Sequence, residues 1–323
     1  MIRPDDVGDN GRMTDRIPLL IDTDPGVDDA LAILMAFNDP RHEVVGLTIA
    51  AGNVGLRHTV ANALKLCEVA GVDVPVHAGC AEPLLHQARD AAYVHGRDGF
   101  GDTGYEPATR KPEVEHAALA ILRLSHQYAG RLLLVALGPL TNLALALKLD
   151  PTLPSRVGRC VVMGGAVTGH GNITPAAEFN IAFDPEAAHI VFSAFPHIDL
   201  SDWEATLDHG LLDTDVNRWL AADSPRARFY DAISRQTRAW AGERRGNRWA
   251  SADALAMAFA LFPDGALETA ERPLAVEMEG RQTRGATIVD WRREGGLPDN
   301  VRILQRYDQG RFEALIEAAL AAG

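Results

Sequence analysis

The chain has 323 residues, 47% apolar and 23% charged, with a net charge of −13, a globular composition long enough to bury roughly three quarters of its unfolded surface. The acid excess argues against a nucleic-acid coat, where Lys and Arg must neutralise phosphates, and no apolar run reaches the roughly 18 residues of a membrane-crossing helix. Three cysteines, Cys67, Cys80 and Cys160, lack the number and spacing for a disulfide framework or a zinc site and fit a reducing cytoplasm.

Residues 1–15 hold no apolar stretch of the signal-peptide kind and read as a tail, leaving residues 16–323 as a single domain. Ile17–Asp22 (IPLLID) predicts a buried strand and residues 28–38 a helix. Glu43–Ala50 reads as a second strand, Arg57–Ala70 as a helix and Val74–Ala78 as a short strand. The Gly- and His-rich stretch Gly79–Pro112 shows no period. A helix over Glu113–Tyr128 precedes the strand Leu132–Leu137, Gly138-Pro139 opens another helix, and the strand Arg159–Met163 ends in Gly164-Gly165. From Asp208 to Phe262 the pattern is mostly helical. Leu274–Glu279 and Thr283–Trp291 predict a hairpin, followed by a strand at Val301–Gln305 and a closing helix at Phe312–Ala322. Continuous apolar strands between helices imply an α/β fold, an open, mostly parallel sheet flanked by helices. Such sheets bind ligands at the carboxyl ends of their strands.

The first strand end concentrates charge. Asp22-Thr23-Asp24-Pro25-Gly26-Val27-Asp28-Asp29 places four carboxylates within eight residues. Asp24 fits a helix N-cap, Pro25 the first turn, and Asp28 and Asp29 the positive end of the helix dipole. One or two acids would satisfy a cap; four packed at a buried strand end repel one another. A cation resolves the repulsion, and an all-oxygen set without His or Cys selects Ca²⁺ or Mg²⁺ over zinc. Other strand ends supply Asn53, the Leu137 carbonyl beside Gly138, and the run Asn172, Glu178, Phe179 and Asn180 beyond Met163. Singly these are ordinary turn and cap residues. Together they make a polar rim suited to a polyhydroxylated molecule.

DTDPGVDDA at residues 22–30, Gly52-Asn53, ALGPLTNLA at 136–144 and AEFNIAFDPEAA at 177–188 together resemble the calcium-dependent nucleoside hydrolases, from about Ile17 to the region of Asp253. The resemblance implies a Rossmann-like nucleoside hydrolase architecture with a small C-terminal hairpin. It implies a purine or pyrimidine salvage activity that splits the N-glycosidic bond of a ribonucleoside into free base and ribose. Ca²⁺ would be held by Asp24, Asp29, Asp253 and the Leu137 carbonyl, and Asp24 would also take a proton from a calcium-bound water. Asp28, Asn172 and Asn180 would hold the ribose 2′- and 3′-hydroxyls and Glu178 the 5′-hydroxyl, with Asn53 in support. Met163 and Phe179 would line the sugar, and His95 matches a loop histidine near the base. The family also implies a homodimer or homotetramer. The reaction passes through a ribosyl cation like that of glycosidases, so it needs an acidified water, a fixed sugar, negative groups around the ring and help for the departing base.

One position departs from the pattern. Many members carry a histidine immediately before the late calcium-binding aspartate; here Trp249-Ala250-Ser251-Ala252-Asp253 has Ala252, which donates no proton. His95 or Tyr230 would then serve, or solvent would protonate a base stacked on an aromatic, or the protein is slow or acts on an unusual nucleoside. Trp203, Trp219, Trp240 and Trp249 fall within 47 residues. Trp249 stands four residues before Asp253, one helical turn away, from where it could reach a base; Trp240 and Trp249 are both open between base contact and core or interface, while Trp203 and Trp219 read as core or interface. Seven arginines between Ser224 and Ala250 (Arg226, Arg228, Arg235, Arg238, Arg244, Arg245, Arg248) read as a solvated helix face, with phosphate contact the lesser reading. Two rivals remain from the sequence. One is a haloacid-dehalogenase-type Mg²⁺ phosphatase with Asp22 as nucleophile and Asp24 as acid/base, which leaves AEFN unexplained and has only Lys65, Lys111 and Lys148 to steady phosphate. The other is a calcium-dependent nucleoside-binding protein that has lost turnover at Ala252.

Overall fold

In the computed structural model, which describes residues 16–87 and 89–323, strand β1 (Ile17–Thr23) has every residue after Ile17 buried. A strand covered on both faces needs no alternation of polarity, so IPLLI is a continuous apolar run that turns polar only at its carboxyl end. Its side chains still alternate: Leu19 and Ile21 enter one apolar core and Leu20 the other. The tail expected over residues 1–15 lies outside the described residues.

Around β1 the chain adds α1 (Val27–Asn38), β2 (His42–Ile49), α2 (Leu56–Ala70), β3 (Val76–Ala78) and the short α3 (Ala92–His95). Then come α4 (Ala117–Gln127), β4 (Leu132–Ala136), α5 (Thr141–Leu149) and β5 (Val157–Met163). Next are α6 (Phe179–Phe183), α7 (Pro185–Ala194), β6 (Ile198–Ser201) and α8 (Trp203–Asp208). A helical section follows: β7 (Leu211–Leu212), α9 (Asp213–Leu220), α10 (Pro225–Arg245), β8 (Arg248–Trp249) and α11 (Ala252–Leu261). The chain ends with β9 (Ala266–Arg272), β10 (Leu274–Val276), β11 (Thr287–Val289), β12 (Val301–Tyr307) and α12 (Gln309–Ala321). One eight-stranded sheet runs β3-β2-β1-β4-β5-β6-β12-β9. Its pairs are parallel except for β9, which lies antiparallel to β12. The predicted hairpin is the separate pair β10–β11. Side chains of α1, α2, α10, α11 and α12 fill one core and those of α4, α5 and α7 the other.

The structure moves one predicted cap. Helix α1 starts at Val27 with Gly26 as N-cap, and the Asp29 carboxylate accepts the Gly26 N–H at 2.9 Å. An acid at the third helical position thus satisfies the cap, Pro25 lies ahead of the helix, and Asp24 is free to point elsewhere.

At the amino ends of the strands, Asp199 on β6 is 1% exposed and is gripped by Arg159 (Nε–Oδ2 2.6 Å) and Arg302 (Nε–Oδ1 2.6 Å, Nη2–Oδ2 2.7 Å). Burial pushes its carboxyl up, but the two guanidiniums outweigh this and hold it below the ordinary carboxylate range. A depressed folded pKa contributes stability that is whole above the unfolded value, near 4, and is lost as pH falls through the folded one. Asp199→Asn is therefore expected to cost about 2 kcal/mol in urea unfolding at pH 7, the low side for a broken buried pair because both arginines keep solvent contact. The gap from wild type should narrow as pH drops from about 5 to about 3; a gap independent of pH would show that packing, not charge, carries it.

Candidate active site

The carboxyl ends of β1, β2, β4 and β5 converge on one cavity, as a parallel sheet dictates. Beneath its floor lies Asp24, 1% exposed, its Oδ2 accepting the Asn53 N–H at 2.6 Å. Asn53 Nδ2 donates to the Asp24 carbonyl at 3.1 Å and to Asp29 Oδ2 at 2.9 Å. The Thr23 hydroxyl donates to Asp29 Oδ1. Glycines make room for Asp24: a Cβ on Gly52 would fall 2.1 Å from Oδ2, and one on Gly138 2.2 Å from Oδ1. Gly138 therefore serves the Asp24 carboxylate. Gly138→Ala is expected to lower kcat about a hundredfold by displacing that carboxylate; a kcat within threefold of wild type would mean the site tolerates the shift.

Asp28, Asp29 and Asp253 each offer a carboxylate oxygen within 4.8 Å of the other two. Asp253 sits in the first turn of α11 and is 3% exposed. Asp28 Oδ1 is enclosed and has no hydrogen-bond partner among the described residues. Burial, and then the charge of Asp29, push the Asp24 carboxyl well above its ordinary range. Burial followed by the charges of Asp28 and Asp29 do the same to Asp253, and burial lifts Asp28 to about 6. Among the described residues lining the cavity there is no lysine or arginine. An orphaned carboxylate oxygen inside an all-oxygen, uncompensated acidic cluster fits a hard divalent cation.

The cavity wall carries every residue that the sequence assigns to the ion, the sugar or, through His95 and Trp249, the base, except Asp24 and Asp29: Asp28, Asn53, His95, Leu137, Met163, Asn172, Glu178, Phe179, Asn180, Trp249 and Asp253. Glu178 caps α6, accepting the N–H groups of Asn180 (3.0 Å), Ile181 (3.3 Å) and Gly165 (3.0 Å), and burial lifts its carboxyl to about 7. Asn180 Nδ2 donates to the Leu137 carbonyl at 2.6 Å, and Asn172 Oδ1 accepts the Phe179 N–H at 2.8 Å. His95 Nδ1 accepts the Val27 N–H at 3.2 Å, so its ring proton sits on Nε2. Burial lowers its pKa to about 4, which leaves the ring neutral near pH 7.

The lining is also aromatic, with Tyr93, Trp203, Trp240 and Trp249, and includes Ala252; Trp249 ends β8 rather than standing a helical turn before Asp253, because α11 starts only at Ala252. Tyr93 and Trp240 meet edge to face at 6.2 Å. Trp219 is core, 2% exposed, as expected, whereas Trp203 lines the cavity. The sequence places it in the core or an interface because β6, whose end it follows, is only four residues (IDLS) with two polar members, too little pattern to locate a strand end. Tyr230 packs behind Trp249 at 6.0 Å and is not a wall residue, so it does not reach the cavity as a proton donor. Asp22 is fully buried, its Oδ1 bonded to Thr48 and Asn142, and the cavity wall offers no lysine or arginine among the described residues to steady a phosphate, so nothing here favours the phosphatase reading. Among the described residues no α10 arginine lines the cavity, and Arg235 and Arg238 pair with Asp231. Arg226 departs from a solvated face, being 6% exposed with Nη2 on the Ala70 carbonyl at 3.4 Å. The side chains of Arg244 and Arg245 lie outside the described residues.

Residues 19–314 match the family model of inosine-uridine preferring nucleoside hydrolases. Uridine nucleosidase 1 of Arabidopsis thaliana is 46% identical over 200 residues, a stretch spanning 61% of this chain and 60% of that protein. The pyrimidine-specific ribonucleoside hydrolase RihB of Escherichia coli K12 is 33% identical over 300 residues, 93% of this chain and 95% of that one. A solved plant nucleoside hydrolase superposes with a TM-score of 0.88 at 33% identity, covering 95% of this chain and 99% of its own. The chain belongs to the inosine-uridine preferring nucleoside hydrolase family, and its reaction is the hydrolysis of ribonucleosides to free base and ribose.

Proposed function

We propose that this hydrolysis depends on Ca²⁺ and uses Asp24 as general base, with residues 16–323 acting as one domain. The observation that carries the reading is the uncompensated carboxylate cluster of half-buried Asp28 with buried Asp29 and Asp253, at a cavity rimmed with polar groups. Asp29 and Asp253 of that cluster, with the neighbouring Asp24 and the Leu137 carbonyl, would hold the ion, while Asp28, the third member, would turn its carboxylate to the sugar. When bound, the ion offsets the clustered negative charge and acidifies water. Asp24, steadied by the Asn53 N–H, takes a proton from the attacking water. Asp28, Asn172 and Asn180 hold the 2′- and 3′-hydroxyls, and Glu178 accepts the 5′-hydroxyl. Met163 and Phe179 cover the apolar face of the sugar, and the surrounding carboxylates stabilise positive charge developing on the ring. On the base side, Trp249 offers a stacking face, and the neutral His95 presents its Nε2 proton as a hydrogen-bond donor in place of the histidine missing at Ala252.

Three free cysteines, two of them buried, support a cytoplasmic salvage role. Exposed Leu85, Val114 and Leu119 support a homodimer or homotetramer. The test is chromatography of products from uridine, cytidine, inosine and guanosine. Release of free base with one equivalent of reducing sugar is expected. Binding of nucleoside without any base release would favour the binding-protein reading, and phosphate release from simple esters with nucleosides intact would favour the phosphatase.

A further inference from the structure

Between β5 and α6 the chain runs as a loop without a backbone ladder that brings Asn172 and Ile173 to the cavity, and its fastening is unusual. Four consecutive N–H groups, Gly165 to Thr168, all go to side chains. Gly165 donates to Glu178 Oε2 (3.0 Å), Ala166 to Thr287 Oγ1 (2.9 Å), Val167 to Glu204 Oε2 (3.0 Å) and Thr168 to Glu204 Oε1 (2.7 Å). The carbonyls are tied as well: Thr287 Oγ1 donates back to Ala166 at 3.0 Å and Trp291 Nε1 to Val167 at 3.2 Å. The fit at the turn is close, since a Cβ on Gly165, whose φ is +82°, would fall 2.9 Å from Thr287 Cγ2. Surface loops ordinarily leave such groups to water. Here three separate elements, α6, α8 and the β10–β11 hairpin, hold four residues of backbone, and the loop goes on to place Asn172 on the cavity wall.

We propose that Glu204 and Thr287 are positioning residues for the sugar. They fix the loop so that Asn172 meets the ribose, and they give the small C-terminal hairpin, which contributes no residue to the cavity wall among the described residues, a part in substrate binding. The inference rests on the reading of Asn172 as a ribose contact. Neither residue touches substrate; each acts through the loop backbone. Glu204 offers two acceptor oxygens to three donors, the third being the Thr168 hydroxyl at 2.5 Å, so glutamine, with one acceptor, must leave at least one of them unpaired.

The test is steady-state kinetics on Asn172→Ala, Glu204→Gln, Thr287→Val and Thr287→Ser, with the Asn172→Ala/Glu204→Gln double variant and the Ca²⁺-induced shift in melting temperature as a check on the acidic centre. Glu204→Gln and Thr287→Val are expected to raise KM up to about tenfold, the worth of one hydrogen bond, with kcat changed far less. Thr287→Ser, which keeps the hydroxyl, should return KM to within about twofold, and the Ca²⁺ shift should persist in all, which a general loss of structure would not allow. In the Asn172→Ala background, Glu204→Gln should add little, because coupled residues are not additive. If Asn172→Ala raises KM while Glu204→Gln and Thr287→Val do not, or if the double variant is fully additive, the positioning role is overturned and the ribose reading stands. If Asn172→Ala itself leaves KM unchanged, the ribose reading fails and takes the inference with it.

Discussion

Asp24→Asn should lower kcat for nucleoside cleavage by about a thousandfold, in the range expected when a general base is removed, while leaving the sheet intact. The side chain is enclosed by Gly52, Gly138 and the Asn53 backbone, and asparagine matches its shape, so the loss would come from proton transfer and charge rather than from a cavity. Its burial beside Asp29 makes the ionised form unfavourable in the fold. Without Ca²⁺, Asp24→Asn should therefore melt no lower than wild type. Loss of activity together with an unchanged or raised melting temperature is the signature of a group kept for chemistry at a cost in stability. Kinetics and thermal unfolding on the same preparations check both halves; activity within tenfold of wild type would assign the base to another residue.

The second large effect concerns Asp253. Wild type should gain about 3 kcal/mol of stability at a hundredfold excess of Ca²⁺ over its dissociation constant. Asp253→Asn should lose most of that gain and most of its kcat/KM, because the first turn of α11 supplies the acid that faces Asp28 and Asp29. In the absence of Ca²⁺ the variant should be at least as stable as wild type, since one of several repelling carboxylates is gone. Differential scanning of both proteins across a calcium titration reads this directly. An equal Ca²⁺ shift in both would remove Asp253 from the ion site.

Much of this arrangement is legible from the chain because parallel sheets leave a strong pattern. IPLLID and LLLVAL are apolar runs too short for buried helices and bounded by turn residues, which reads as doubly covered strands, and the rule that ligands gather at their carboxyl ends leads straight to Asp24, Asn53 and Leu137. What stays hidden has physical reasons. β6 is short and half polar, so the position of Trp203 at its end cannot be seen. β9 is an edge strand with mostly exposed side chains and lacks a core-facing run. The cap of α1 is misread because Asp29 reaches back from inside the helix to Gly26, an acid doing the work assigned to Asp24. Tyr93 and Thr237, both on the cavity wall, lie on the aperiodic stretch and on a helix whose composition is dominated by arginine; no local signal marks them. The fastening of Gly165–Thr168 by Glu204 and Thr287 joins residues 36 to 121 positions apart and is a property of the folded chain alone.

The acid excess at the start of the chain thus resolves into a buried centre whose charge needs a partner. The most direct measurement is the rate of base release from a cleaved nucleoside after exhaustive chelation and after stepwise return of free Ca²⁺, followed with Mg²⁺ and Zn²⁺ for comparison. Activity that vanishes on chelation and returns saturably with Ca²⁺, in step with the rise in melting temperature, is the predicted result. Full base release in the chelated enzyme, with its melting temperature unmoved by Ca²⁺, would contradict the account.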